Sequence, residues 1–322
     1  MAIHRDKISE IEIDQFRKDV SDGLQSRPKY LSSKYFYDEI GDQLFIQIMN
    51  LPEYYLTNSE LEILQEQSSL IAEEVKKGKD ELDVIELGAG DGTKTIYFLQ
   101  ALNVFAFNYK PIDISANSID NLKEKYSIHG DWLKFDGVAG DYFEMLDNLN
   151  SSKPKLILFL GSNMGNMKDE VATEFVSNIA EQMNRGDFLL LGLDLKKSKE
   201  IIAPAYNDSK GVTSKFNLNL LNRMNKELGA NFNLDQFEHA PRYDEEQGVA
   251  YSYLRSKVNQ SVRIESLNLD CQFEENELIH TEISRKYNDA ILNKILGSSA
   301  LRIHEKYMDK KEYFTNYLLK KQ

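Results

Sequence analysis

Cysteine is nearly absent from this chain, whose 322 residues include a single one, Cys271. One thiol cannot form an internal disulfide, and the sequence around it offers no second thiol or histidine cluster to complete a metal site. A disulfide-built secreted scaffold is therefore excluded, and we expect no bound metal. We interpret Cys271 as a buried structural thiol.

Basic residues are also in short supply. The chain has 39 Lys and Arg against 52 Asp and Glu, which gives a formal net charge of -13. Such a charge repels a phosphate backbone unless basic residues gather on one face, and the Lys pairs at 196–197, 310–311 and 320–321 are scattered along the chain. Nucleic acid is therefore not an expected partner.

Long apolar runs are missing as well. Residues 1–16 carry charges throughout and lack the apolar stretch of a signal peptide, and no later run approaches the roughly 18 apolar residues of a membrane span. We therefore expect a cytoplasmic protein that has no membrane partner. We take the chain to act as a monomer.

What the sequence does contain is an alternation of short apolar runs with amphipathic helical stretches. With 41% hydrophobic residues, the chain can bury a sizeable core. The alternation predicts parallel strands followed by helices in a doubly wound α/β sheet. The predicted strands are 82–87, 104–114, 133–138, 156–160 and 188–193, and the predicted helices are 59–77, 95–102, 115–125 and 168–183.

The last third of the chain predicts a hairpin and a second lobe. Residues 301–308 and 313–319 indicate two strands that add an antiparallel hairpin to the parallel sheet. Residues 201–225 are helical, and short strands follow at 237–240, 248–255, 261–269 and 277–286. We expect a cofactor-binding domain made of 59–200 together with 287–322, and a strand-rich substrate lobe made of 1–58 together with 201–286.

A glycine-rich turn follows the first predicted strand. In the sequence ELGAGDGTK its key residues are Glu86, Gly88, Gly90, Gly92 and Lys94. Glycines at the carboxyl end of a parallel strand let the backbone approach a bound nucleotide. A dinucleotide fingerprint would need glycine at position 93, which is Thr, whereas the spacing E-x-G-x-G-x-G is the one expected of S-adenosylmethionine (SAM) enzymes. We therefore predict a SAM site, and the acidic composition suits the sulfonium cation of this cofactor.

Two further acids end the next two predicted strands. Asp113 lies about 20 residues past the glycines, the usual distance to a carboxylate that accepts hydrogen bonds from a ribose. Asp141 follows the third strand and can accept a hydrogen bond from the adenine amino group, with Tyr142 stacked nearby. The alternative is that both acids cap the helices that follow them.

At this point the chain closely resembles a known family, the histidine-specific Nα-methyltransferases that make hercynine on the route to ergothioneine. The resemblance extends from about residue 28 to the C-terminus. It rests on short blocks in the family's order: KYFYD at 34–38, LPEYYLT at 51–57, ELGAG at 86–90, FLGSNMGN at 159–166, AYND at 205–208, GVTSKFN at 211–217 and TEIS at 281–284.

The resemblance implies an acceptor pocket for a free amino acid between the two lobes. Asn166 and Tyr206 would hold the carboxylate and the amine, and Gly161 would let the backbone approach the reacting centre. Tyr37, on the cofactor side, and Tyr54, on the substrate side, would close the pocket. Without the resemblance, core packing explains these tyrosines equally well.

The same resemblance places Glu282 and Ser284 against an imidazole. Because they are two residues apart on a predicted strand, they are expected on one face, where a carboxylate would select histidine. The alternative is an exposed strand face. Ser252 departs from the family's pattern, which has methionine at this position, so another aromatic or polar amino acid stays open as the substrate.

The reaction that the resemblance implies is an in-line attack of a neutral amine on the sulfonium methyl group, repeated up to three times on one nitrogen. The motif blocks contain no dedicated base, so we assign deprotonation to water or to solvent before closure. Two alternatives stay open: the same chemistry on another amino acid or small amine, and a SAM-binding protein without catalysis.

Overall fold

The computed structural model describes residues 10–102, 105–114, 116–127, 133–141, 145, 151–297 and 299–322. The chain divides into two compact units. The large unit comprises Leu56–Lys197 and Arg285–Gln322, and the small unit comprises the residues up to Tyr55 together with Ser198–Ser284. The cofactor-binding and substrate-binding roles expected of the two domains stay predictions.

The described residues form helices and strands along the whole chain. The helices are α1 (Glu10–Gln25), α2 (Glu39–Met49), α3 (Tyr55–Lys76), α4 (Thr95–Ala101), α5 (Ala116–Ser127), α6 (Asp169–Glu181), α7 (Lys199–Tyr206), α8 (Val212–Leu228) and α9 (Asp289–Leu296). The strands are β1 (Lys29–Tyr30), β2 (Glu81–Leu87), β3 (Ala106–Asp113), β4 (Lys134–Phe135), β5 (Val138–Ala139), β6 (Lys155–Phe159), β7 (Phe188–Asp194), β8 (Phe237–His239), β9 (Arg242–Asp244), β10 (Val249–Ser256), β11 (Gln260–Ile264), β12 (Leu269–Phe273), β13 (Leu278–Arg285), β14 (Leu301–Met308) and β15 (Phe314–Lys321). In the part of the chain that the structure describes, no helix has the length and apolar character needed to cross a membrane.

One sheet organises the large unit. Its strand order is β14-β15-β7-β6-β2-β3-β4, and β5 also pairs with β3. β2 is parallel to both β3 and β6, and β6 is parallel to β7, whereas β15 is antiparallel to β7 and β14. This order confirms the predicted fold class, a doubly wound α/β sheet with a C-terminal antiparallel hairpin, which is the Rossmann-like sheet of class I methyltransferases.

The central strands of this sheet are apolar because both of their faces are covered. Every residue of β6 and β7 is buried. Since side chains alternate across a strand, Ile157 and Phe159 join the core on one face, which includes residues of α6. Leu156 and Leu158 join the core on the other face, which includes residues of α3 and α4.

A different sheet organises the small unit. Its strand order is β1-β13-β10-β8, with β9 paired to β10, and β11 and β12 form a separate hairpin. Its core combines Phe16 and Val20 of α1 with Leu220 and Leu221 of α8 and Leu254 of β10. The N-terminal segment and the segment 198–284 therefore share one hydrophobic core.

The prediction of one continuous strand at 133–138 was wrong. The segment is broken into β4 and β5, both of which pair in parallel with β3. Between them, the N–H of Asp136 donates to the carbonyl of Tyr109 at 2.9 Å, so the chain stays attached to the sheet. Gly137 passes Phe135 and Ile119 so closely that a Cβ there would lie 2.6 and 2.7 Å from their side chains.

The predicted helix 201–225 was also wrong in its continuity, because α7 ends at Tyr206 and α8 begins at Val212. Asp208 separates them. Its carboxylate accepts from the N–H groups of Val212 at 2.9 Å and Thr213 at 2.7 Å, which satisfies the first turn of α8.

The predicted strand 261–269 is a hairpin in the structure. β11 and β12 are joined through a 3-10 turn at Glu265–Leu267 and a left-handed residue, Asn268, with a φ of 49°. Helix α9 was not predicted. It begins after Asn288, whose side chain accepts from the N–H of Ile291 at 2.9 Å.

A buried charge cluster closes the carboxyl end of β7. The carboxylate of Asp194 accepts from the ammonium groups of Lys197 at 2.5 Å and Lys286 at 2.7 Å, and all three side chains are buried. Lys286 lies beside Tyr287, whose N–H donates to the carbonyl of Asp194 at 2.8 Å. One carboxylate therefore joins the end of β7 to the segment that follows β13.

We predict that Asp194→Asn destabilises the large unit by about 3–5 kcal/mol, because it leaves two buried ammonium groups without their counter-charge. The measurement is urea unfolding of both proteins. Glu81→Gln is the control, since Glu81 forms an exposed ion pair with Lys153 and its loss should leave the unfolding midpoint unchanged. Equal midpoints for the Asp194 variant and the wild type would contradict the prediction.

Candidate functional site

The glycine turn lies at the carboxyl end of β2, where the strand order reverses. Gly88, Gly90 and Gly92 have φ angles of 71°, 56° and 62°, in the left-handed region that glycine adopts without strain. The N–H of Gly88 donates to the carbonyl of Ile112 at 2.8 Å, which ties the turn to β3. The sequence therefore needs glycine here for its backbone conformation as well as for close approach.

Gly90 and Gly92 lie in different surroundings. Gly90 is exposed, and a Cβ built on it meets nothing within 4 Å. Gly92 is buried, and a Cβ there would lie 2.3 Å from both the Tyr126 hydroxyl and a methyl group of Leu122. Gly90 consequently provides an open backbone surface that suits a nucleoside, whereas Gly92 seats the turn on α5.

Asp113 is attached to this turn. Its Oδ2 accepts from the N–H of Gly90 at 2.9 Å; Gly90 follows β2, and Asp113 is the last residue of the neighbouring strand β3. Asp141 follows β5, and the N–H of Gly140 donates to the carbonyl of Asp113 at 2.9 Å, which brings the two acids to the same edge of the sheet. Tyr142 lies outside the described residues. The structure thus brings Gly90, Asp113 and Asp141 together, and their contacts with ribose and adenine stay predictions.

Glu86 lies beneath the turn, in the core. Its side chain is 2% exposed, and its two carboxylate oxygens accept from the hydroxyl groups of Thr95, at 2.5 Å, and of Tyr109. Burial raises the pKa of Glu86 to about 7. Its observed contacts therefore connect β2 with α4 and β3, and its expected contact with the cofactor stays a prediction.

Lys94 is paired with Glu60, a residue that was not predicted from the sequence. The Lys94 ammonium donates to the Glu60 carboxylate, and the N–H of Gly161 lies 3.0 Å from each oxygen of the same carboxylate. Glu60 is fully buried. The sequence contains one signal for Glu60. Its spacing from Ile63, Leu64 and Ile71 puts it on the apolar face of α3, where an acidic side chain is not exposed to solvent.

The loop after β6 carries Asn166. Gly161 and Ser162 both have left-handed backbones, with φ angles of 77° and 58°, and a 3-10 turn at Asn163–Asn166 follows. The Ser162 hydroxyl accepts from the N–H of Asp194 at 3.0 Å, and the Tyr287 hydroxyl donates to the carbonyl of Met164 at 3.2 Å. Asn166 is exposed. The contacts with Asp194 and Tyr287 therefore hold the loop in place, while Asn166 stays exposed.

The remaining predicted residues belong to the small unit, where the structure brings two of them together. The Tyr206 hydroxyl donates to the Ser284 hydroxyl at 2.7 Å, and His239 Nε2 lies 2.9 Å from the Tyr206 carbonyl. Burial lowers the pKa of His239, so the ring that holds Tyr206 is neutral at physiological pH. Tyr206 is thereby fixed through both its backbone and its side chain.

The two N-terminal tyrosines are joined through one phenylalanine. Phe45 contacts the ring of Tyr37 edge-on at 5.5 Å between centroids and the ring of Tyr54 at 6.3 Å. Tyr37 is substantially exposed and Tyr54 is half-buried. Tyr54 packs against the core of the small unit, and the ring of Tyr37 lies 5.7 Å from that of Phe216, a member of this core. Core packing therefore stays an alternative for both tyrosines, and their expected role in closing the pocket stays a prediction.

The strand residues expected around an imidazole, Ser252, Glu282 and Ser284, differ in their burial and in their contacts. Ser252 is buried, and its carbonyl accepts from the Thr281 hydroxyl at 3.0 Å. Thr281 lies toward α8, to whose Asn217 it is hydrogen-bonded, and Ser284, three residues later, reaches Tyr206 at the end of α7. Buried residues of β13 are two apart at Ile279 and Thr281 but three apart at Thr281 and Ser284, so burial departs from strict alternation here. The shared face expected of Glu282, which is half-buried, and Ser284 stays a prediction.

Metal ligands do not converge in the described part of the chain: no group of three or more His, Cys, Asp and Glu residues there has the arrangement to hold an ion. Cys271 is a buried free thiol. Its interpretation as a structural thiol agrees with its place in the core of the small unit.

Comparison with known proteins identifies the family. The model of the family described as histidine-specific methyltransferase, SAM-dependent, matches residues 16–321. The chain belongs to this family. Membership confirms the predicted methyltransferase class and SAM as the cofactor.

Relatives and solved structures extend the comparison. The histidine N-alpha-methyltransferase of Mycolicibacterium smegmatis is 36% identical over 288 residues, which cover 89% of this chain and 88% of that protein. Ergothioneine biosynthesis protein 1 of Schizosaccharomyces pombe is 31% identical over 307 residues, which cover 91% of this chain and 39% of that protein. A SAM-dependent methyltransferase structure from Clostridium acetobutylicum is similar with a TM-score of 0.45 and 15% identity, over 80% of this chain and 90% of that one.

We predict that Gly90→Ala and Gly92→Ala fail in different ways. Both place a side chain at left-handed φ, which costs about 1–2 kcal/mol, and Gly92→Ala adds overpacking of about 1–3 kcal/mol against Tyr126 and Leu122. Thermal unfolding should therefore rank Gly92→Ala below Gly90→Ala. Titration with S-adenosylhomocysteine should show that Gly90→Ala, although the more stable, has lost affinity. If Gly92→Ala were both the less stable variant and the weaker binder of S-adenosylhomocysteine, the assignment of Gly90 to the cofactor surface would be contradicted.

We predict a pH dependence of stability that comes from Glu86. Because its folded-state pKa is raised to about 7, its contribution to stability is fully present below its unfolded value and is lost as pH rises through about 7. The wild type should therefore lose stability relative to Glu86→Gln, with a slope of up to about 1.4 kcal/mol per pH unit. Urea unfolding of both proteins between about pH 5 and pH 8 measures the difference. A difference that does not change with pH would disprove this origin.

Proposed function

We propose that this protein transfers methyl groups from SAM to the α-amino nitrogen of L-histidine, up to three times, with hercynine as the product. Relatives that match this chain over 88–89% of its length bear the name histidine N-alpha-methyltransferase. The observation that carries the proposal is the hydrogen bond between Tyr206 and Ser284 at 2.7 Å. It joins the residue assigned to the amino acid's carboxylate and amine to one assigned to its imidazole.

The residues of the large unit suit the cofactor. At one sheet edge, Gly90 offers exposed backbone with open space around it, and the carboxylates of Asp113 and Asp141 offer acceptors for the ribose and the adenine. When bound, SAM supplies an electrophilic methyl group on a sulfonium. Lys94 provides an ammonium for the carboxylate of the cofactor, and the net charge of -13 favours the approach of a cation.

The acceptor is held by neutral groups at its amino acid end. Each of the two groups assigned to this end, the amide of Asn166 and the phenol of Tyr206, can orient a carboxylate or an amine without a salt bridge. A neutral partner leaves the lone pair of the nitrogen available for attack on the methyl carbon. Glu282 and Ser284 accept from or donate to the imidazole. An apolar analogue would leave the Glu282 carboxylate without its partner, which gives selectivity for histidine.

A second acceptor is favoured by one residue, Ser252. This small buried side chain stands where the family's pattern has methionine, and it leaves more room beside the imidazole position. A relative from Psilocybe serbica named L-tryptophan methyltransferase is 26% identical over 327 residues. The second candidate is therefore Nα-methylation of another aromatic or polar amino acid. A panel of amino acids assayed with labelled SAM separates the two candidate acceptors. If histidine is the only amino acid in the panel that is methylated, the second candidate is rejected.

The proposal includes the setting in which the enzyme works. It acts as a monomer in the cytoplasm on a free amino acid, and nucleic acid is not a partner. The excess of 52 acidic over 39 basic residues disfavours a phosphate backbone, and the single buried thiol suits a reducing compartment.

We predict that L-histidine binds the protein when it is saturated with S-adenosylhomocysteine, and that Glu282→Ala weakens this binding by about tenfold to a hundredfold through loss of a charge-assisted hydrogen bond. Calorimetric titration measures both. The control is Glu238→Ala, which removes an exposed carboxylate paired with Arg255 on the same sheet and should bind like the wild type. Absence of histidine binding in the wild type would reject histidine as the acceptor and leave the methyltransferase class intact.

A further inference from the structure

A buried carboxylate links the two segments that the proposed reaction uses. Glu60, in the second turn of α3, is 0% exposed. Its carboxylate accepts from the Lys94 ammonium, and the N–H of Gly161 lies 3.0 Å from each of its oxygens. Lys94 follows the glycine turn, whereas Gly161 opens the loop that carries Asn166. One side chain therefore contacts both segments.

The position of Glu60 follows from the strand order. Lys94 comes after β2 and Gly161 comes after β6, and these strands are paired neighbours at the point where the sheet reverses direction. Ligands bind at this point in doubly wound sheets. Glu60 lies below it, where it can orient groups that face the ligand without touching the ligand.

The sheet leaves a defined space for this carboxylate. A Cβ built on Gly192 of β7 would lie 2.2 Å from Glu60 Oε1 and 3.1 Å from Asn316 Oδ1. Glycine is therefore required at position 192 as long as Glu60 occupies this place. The Asn316 amide is fully buried and has no hydrogen-bond partner among the described residues, so the surroundings of Glu60 are polar on the β15 side as well.

Fold stability alone is a poor explanation for such a group. A buried ion pair is often no better for stability than apolar side chains of the same volume, because both charges must be desolvated. The Lys94 side chain is 26% exposed whereas Glu60 is fully buried, so the pair is not closed off completely from solvent. An ammonium has three donors and can bond to Glu60 and to a ligand carboxylate at the same time.

We propose that Glu60 is a positioning residue for methyl transfer: it fixes the Lys94 ammonium for the carboxylate of the cofactor and holds the Gly161 backbone at the reacting edge. The inference rests on the proposed function in one respect, the assignment of Lys94 to the cofactor. Without Glu60 the four-carbon stem of Lys94 samples many rotamers, and the left-handed Gly161 loses the acceptor of its N–H.

The test is a double-mutant cycle on affinity for S-adenosylhomocysteine, measured by calorimetry with Glu60→Gln, Lys94→Met and the double variant. Gln keeps the shape and an acceptor for Gly161 but not the charge. We expect each single variant to bind about tenfold more weakly, the effect of losing one charge-assisted hydrogen bond, and the double variant to bind no more weakly than Lys94→Met. Wild-type affinity in Glu60→Gln, or additive losses in the double variant, would overturn the proposal.

A matched control and a second variant keep the outcome interpretable. Glu66→Gln removes the same charge from the same helix, where Glu66 pairs with Lys310 at the surface, and should bind like the wild type. If Glu60→Gln does not fold, Glu60→Asp replaces it, since it keeps the charge but withdraws it by one methylene. A folded Asp variant with wild-type affinity and wild-type histidine KM would overturn the positioning role.

Binding of S-adenosylhomocysteine needs no acceptor, so the cycle does not depend on histidine being the substrate. Wild-type affinity in Lys94→Met would show that Lys94 does not bind the cofactor. That result would overturn the role of Glu60 but would leave the proposed reaction standing. Conversely, failure to methylate histidine would reject the proposed acceptor while the cycle still reports on Glu60.

Discussion

Strand β2 hydrogen-bonds to β3 on one side and to β6 on the other, and the residues that follow these three strands therefore emerge at one edge of the sheet. The glycine turn, Asp113 and the loop with Asn166 are separated widely in sequence and are assembled only by this pairing. A parallel sheet of this kind must be covered on both faces, which accounts for the fully buried β6 and β7 and for the two separate cores.

Polar groups buried beneath this edge hold the segments that need left-handed backbones. Glu86 connects β2 with α4 and β3, Glu60 connects Lys94 with Gly161, and Asp194 accepts from Lys286 and Lys197 while its N–H holds Ser162. Each carboxylate has its partners, as a buried charge requires. Gly90 and Asn166 are exposed at this edge, and the loop that carries Asn166 is held by contacts of Ser162 and Met164 with Asp194 and Tyr287.

The sequence was sufficient for the features that are encoded locally. The strand, glycine turn and helix around Glu86–Lys94 and the C-terminal hairpin follow from apolar periodicity and turn chemistry, and both are in the structure. Glu60 was missed because its partners lie 34 and 101 residues away, and only strand pairing brings them to it. The breaks at Gly137 and Asp208 depend on a close packing contact and on a side chain that caps a helix, and periodicity does not report either. The environment of Ser252 likewise depends on its neighbouring strand.

We propose that this fold methylates the α-nitrogen of histidine. The most direct measurement is nuclear magnetic resonance of the product formed from L-histidine and SAM labelled with carbon-13 in its methyl group. We expect a single signal from equivalent methyl groups, coupled through a quaternary α-nitrogen to the α-carbon of histidine. A signal that couples to the imidazole ring, or label that remains on the cofactor when histidine is present, would contradict it.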